Sequence, residues 1–96
     1  MSPNNKKKLN LIRVKLDKLD NKILSLIKYR TNLVMEVLKL KEFKKEIVDK
    51  KRINFILKKI KGKSIKLNID PKITKRIWKN MIWTYIDFEK RNFRKK

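Results

Sequence analysis

Ninety-six residues make one domain, near the small end of what folds around its own core. Thirty Lys and Arg against nine Asp and Glu leave a net charge of +21, and neither cysteine nor histidine is present. Disulfides, thiolate chemistry and soft-metal sites are thereby excluded. With no secretory leader and no apolar run near the roughly 20 residues of a span, a soluble, cytoplasmic chain without a membrane partner is expected.

From about Leu9 to Lys41 there is no Gly or Pro, and apolar residues recur at steps of three and four. One row is Leu9, Leu16, Ile23, Ile27, Val34 and Val37; its companion is Ile12, Leu19, Leu26, Leu33 and Leu40. This predicts a long amphipathic helix of about 50 Å, whereas a compact chain of this size has a radius of gyration of only about 12–13 Å. Such a helix would protrude unless another chain covered it, which makes a helical homodimer the economical solution. Asp17 and Asp20 are expected to pair with nearby Lys at helical spacing.

"KEFKKEIVDKK" breaks the pattern and reads as a loop into a second helix, with Asp49 at its N-terminal turn. That helix carries Ile53, Ile56, Leu57 and Ile60, runs to about Lys61 and is expected to end at Gly62 as C′ residue. "KSIKLNI" alternates like a strand but has nothing to pair with, so it reads as loop. "IDPKIT" opens a third helix with Asp70 as N-cap and Pro71 in the first turn. Ile73, Ile77, Met81, Ile82, Tyr85 and Phe88 mark its expected buried face to about residue 91. Trp78, Trp83 and Phe88 read as core or dimer interface. The basic segments 1–8 and 92–96 are expected to be disordered tails. The fold class is all-α: three helices, the first one long.

A charge of +21 raises nucleic-acid binding as a first idea. Composition argues against it: 24 of the 30 cations are Lys, Ile and Asn are abundant, and Ala is absent. Those preferences follow AT-rich codons and put much of the charge down to drift on solvated faces. The six Arg (13, 30, 52, 76, 91, 94) then stand out as chosen for a planar, bidentate fork.

The chemistry open to the chain is narrow. Without His or Cys the common nucleophile–base pairs are missing, and one glycine cannot build a phosphate-cradling loop. Nine scattered carboxylates offer no hard-metal cluster. An enzyme of this composition would work without cofactor or covalent catalysis, by orientation and fixed charge. The apolar seam of the first helix suggests where. Arg30 and Lys41 lie eleven residues apart, three turns plus roughly 20°, so both point the same way as Val34 and Val37. Followed backwards, the seam also holds Asp20 and Arg13. A single such cation would snorkel, its stem packed and its head in water. Three on one seam, two of them Arg in a Lys-rich chain, point to a buried anion site, because each would otherwise be an unpaired buried charge.

"LIRVKLDKLDNKILSLIKYRTNLVMEVLKLK" resembles the first helix of the AroQ-class chorismate mutases: Arg, Asp-x-x-Asp, Leu-rich turns, Arg, and Lys eleven residues later. "IVDKKRINFIL" resembles their second helix and "IDPKITKRIWKNMIWTYIDFE" their third, so the resemblance covers about residues 9–91. The joint spacing of Arg13, Arg30, Lys41, Asp49 and Arg52 carries it. It implies a three-helix subunit intertwined as a homodimer, rearranging chorismate to prephenate on the route to phenylalanine and tyrosine. The reaction is pericyclic and needs no cofactor. By the same resemblance, Arg30 holds one substrate carboxylate and Arg13, reaching over from the partner subunit, the other. Lys41 contacts a carboxylate and the ether oxygen, Asp49 the ring hydroxyl, and Arg52 adds to the clamp.

Three positions depart from the family pattern. Tyr85 and Glu89 stand where many members have Ser and Gln, and Ile53 where some have Glu. Glu89 can hydrogen-bond the ether oxygen only when protonated, so activity is expected to fall as pH rises through its ionisation. Tyr85 either lines the pocket or packs helix on helix, the commoner use of a buried aromatic. The alternatives are an isochorismate–pyruvate lyase of the same fold and a basic helical nucleic-acid-binding protein.

Overall fold

The computed structural model describes residues 1–94 and contains three α-helices and one 3₁₀ turn, with no strand among the described residues. The chain divides into two compact units, Met1–Leu33 and Val34–Lys96.

Helix α1 spans Pro3–Leu40, 38 residues and about 57 Å at 1.5 Å per residue. It starts earlier than the expected disordered tail over residues 1–8 allows. The Asn5 N–H donates to Ser2 Oγ at 3.2 Å and the Lys6 N–H to the Ser2 carbonyl at 2.9 Å. Ser2 therefore caps the helix and Pro3 supplies a first turn with φ already set, which winds Lys6, Lys7 and Lys8 into helix. In the first unit every residue is exposed except the half-buried Leu9, Arg30 and Thr31. Leu16, Leu19, Ile23, Leu26 and Ile27 are all solvent-facing in the single chain. Among the described residues Asp17 and Asp20 form no ion pair, contrary to expectation; exposed pairs of this kind gain too little to hold two long side chains together.

The second unit holds the core. Leu38, Ile47, Ile82 and Ile86 are buried, with Met35, Val48, Ile53, Ile56, Leu57 and Phe93 packed around them. A 3₁₀ turn, Lys44–Glu46, brings Ile47 into this cluster. Glu46 Oε2 accepts from the Glu42 N–H at 3.1 Å and holds the turn closed.

Helix α2 spans Lys50–Lys66 and begins as expected: Asp49 Oδ1 accepts from the Arg52 N–H at 3.0 Å. Its end differs. Gly62 lies inside the helix, and the last turn runs on through Ser64 and Ile65. The stop comes at Asn68, whose φ of 56° is left-handed. The Ile69 N–H reaches the Ser64 carbonyl at 2.9 Å and the Asn68 N–H the Ile65 carbonyl at 3.2 Å, a Schellman closure with Asn at C′. Asn tolerates this conformation because its short polar side chain bonds locally.

Helix α3 spans Pro71–Asn92, with Asp70 Oδ1 accepting from the Lys72 N–H at 2.9 Å. Its phase is set by a buried hydroxyl pair. Ser64 Oγ and Thr74 Oγ1 lie 2.7 Å apart, and Ser64 also donates to the Ile60 carbonyl at 2.6 Å. Thr74, Ile82, Ile86 and Glu89 are consequently the buried positions, with Trp78, Met81, Tyr85 and Phe88 half-buried. Ile73 and Ile77, expected on the buried face, are exposed, as is Trp83. Phe93, expected in the C-terminal tail, packs on the core; Lys95 and Lys96 of that tail lie outside the described residues.

Candidate active site

Two sequence candidates 48 positions apart meet directly. Lys41 Nζ donates to Glu89 Oε1 at 3.2 Å, with the two side chains 19% and 8% exposed. Lys41 follows the last residue of α1, its N–H bonded to the Leu38 carbonyl at 3.1 Å, so it leaves the helix one turn beyond the buried Leu38. Glu89 lies one turn past Ile86 on the buried face of α3. The core residues Leu38 and Ile86 thus carry the ammonium and the carboxylate on the elements that bring them together. Ionic groups removed from water in this way pay a desolvation cost that an apolar pair would avoid. A half-dry pair of opposite charge is little screened by water, so the ammonium and the carboxylate act strongly on each other.

The other candidates are placed as follows. Asp49 is exposed, and its Oδ1 is engaged as the cap of α2. The exposed Arg52 contributes its backbone N–H to that cap and lays its guanidinium over the Phe55 ring, 5.4 Å from the centroid. Tyr85 is half-buried, with its ring edge-on to Phe88 at 6.3 Å and 89°. Ile53 packs on the core. In the first unit Arg30 is half-buried and Arg13 exposed. The resemblance puts Lys41 and Glu89 at one ether oxygen, but their direct ion pair is not readable from sequence, because no local signal ties the end of α1 to the end of α3.

These features define an all-helical protein with a partly buried ion pair, Lys41–Glu89, at its core. A family profile, chorismate mutase type II, matches residues 12–90. The chain belongs to this family, the AroQ class, and is an isomerase that converts chorismate to prephenate in aromatic amino acid biosynthesis. Neither rival reading, lyase or nucleic-acid binder, draws support from this match. No curated protein and no solved structure matches the chain. No helix among the described residues is long and apolar enough to cross a membrane.

Proposed function

We propose that the substrate dianion is held by Arg30 and by Arg13 of a second copy, with Lys41 and Glu89 at the ether oxygen. Arg52 adds to the electrostatic clamp, Asp49 meets the ring hydroxyl, and Tyr85 lines the pocket. The observation that carries this reading is the 3.2 Å approach of Lys41 to Glu89 in a chain of this family. As the C–O bond of chorismate breaks, negative charge gathers on the ether oxygen, and an ammonium already oriented there stabilises the transition state more than the ground state. A cationic clamp on the two carboxylates holds the chair-like conformer in which the new C–C bond can form. No proton or electron leaves the substrate. The chain acts in the cytoplasm as a homodimer; the uncovered apolar face of α1 supports the second part of that statement.

The test follows chorismate loss with identification of the product. Arg30→Ala, with its dimer still folded, is expected to lose at least about 10²-fold in kcat/KM, the scale of losing one charge-stabilising group. Retention of activity in that variant would refute the site.

A further inference from the structure

Carboxylates are spread unevenly along the chain. Residues 50–86 contain twelve cations and one carboxylate, Asp70, which is taken up in capping α3. Within this stretch lies a groove of about 270 Å³ between α2 and α3. Its floor is Leu57, Ile60 and Pro71; its rim is Lys58, Lys61, Lys72 and Lys75. No carboxylate lines it, and none of the four ammonium groups forms an ion pair among the described residues. Four like charges around an apolar floor repel one another and leave apolar surface wet, and one occupant would relieve both costs.

We propose that this groove is a docking site for an acidic amphipathic helix of a partner protein. Apolar side chains one turn apart would seat on Leu57, Ile60 and Pro71, and flanking Asp and Glu would meet the four Lys. The recognition mode is helix-in-groove, with charge complementarity setting orientation. The groove is smaller than the roughly 300–1,000 Å³ that enclose a small organic ligand. A second copy of this chain does not suit it: the helix with uncovered apolar residues, over 1–33, carries nine Lys and Arg against Asp17 and Asp20. A nucleic acid would leave the apolar floor unused, and no aromatic ring lines the groove for a base to stack on. None of the seven lining residues has a part in the isomerase site, so the two readings stand or fall separately.

The experiment uses the full chain and a fluorescein-labelled synthetic helix of about 18 residues, with Leu at i, i+3, i+4 and i+7 and Glu alongside. Controls are a peptide of the same composition with the stripe shuffled, and a single-stranded DNA oligonucleotide. The striped peptide is expected to bind in the micromolar range, with the shuffled one weaker by about tenfold or more. Lys61→Glu/Lys72→Glu should weaken the striped peptide by at least about tenfold while chorismate turnover and circular dichroism stay as in the parent chain. Lys58→Glu/Lys75→Glu replaces that pair if it does not fold. The proposal is overturned by equal binding of the shuffled peptide, by undiminished binding in the folded variant, or by no binding at about 100 μM peptide. Tighter binding of the oligonucleotide with the same sensitivity to the variants would overturn it in favour of a nucleic-acid surface.

Discussion

Glu89 accepts a hydrogen bond from Lys41, whereas an ether oxygen can only accept, so contact with that atom needs a donor on the Glu89 side chain. Glu89→Gln keeps a donor at that position at every pH, and its kcat/KM is expected to stay within about tenfold of the parent. A loss of about 10²-fold or more in a folded Glu89→Gln would remove the donor role from Glu89. Lys41 stands out in the sequence because a cation on an apolar seam is costly, and Glu89 because the third helix resembles the family's. The resemblance puts both at the ether oxygen, but their direct ion pair has no local signal, since it depends on how the end of α1 and the end of α3 share one core. Asp49 shows the converse. Its capping role was readable three residues at a time, and the structure has it capping Arg52 N–H.

The starts of α2 and α3 were readable for the same reason: an Asx cap and a first-turn proline act within one turn. The end of α2 was not. Gly62 offers the usual C′ residue, yet the helix runs past it, because Asn68 supplies the left-handed turn and Ser64 ties the final turn to Thr74. The start of α1 was obscured by the Lys run that follows Ser2-Pro3. Gly62 is therefore a helix-interior glycine, exposed, and a Cβ built there meets nothing within 4 Å. Gly62→Ala removes backbone freedom from the unfolded chain at no steric cost, and is expected to stabilise by about 0.5–1 kcal/mol. A shift of the urea midpoint to higher concentration at unchanged m-value checks it. Destabilisation would mean that α2 ends near residue 62 in solution. The exposure of Ile73 and Ile77 belongs to this scale too. Periodicity gives the width of an apolar face but not its rotation, and here the rotation is set by a polar contact, Ser64 to Thr74.

An isolated helix gains little stability from propensity alone; packing of its apolar face supplies most of it. Over residues 1–33 that face lies open, with Leu16, Leu19 and Leu26 each more than half exposed. Burial of those rows against a second copy is what the proposed homodimer provides, and it would let an Arg13 that is exposed here take its proposed part in substrate binding. In a two-fold dimer an exposed residue of one subunit can complete the site of the other. Mixing tests this directly. Arg13→Ala and Lys41→Ala should each be inactive as homodimers. If Arg13 serves the partner's site, a mixed dimer holds one site with both Lys41 and Arg13 intact and one site lacking both. Random reassortment after unfolding and refolding an equal mixture makes half the dimers mixed, so about one quarter of parental activity should return. If Arg13 instead serves its own subunit's site, every site in every dimer lacks one cation and activity stays at the background of the separate variants.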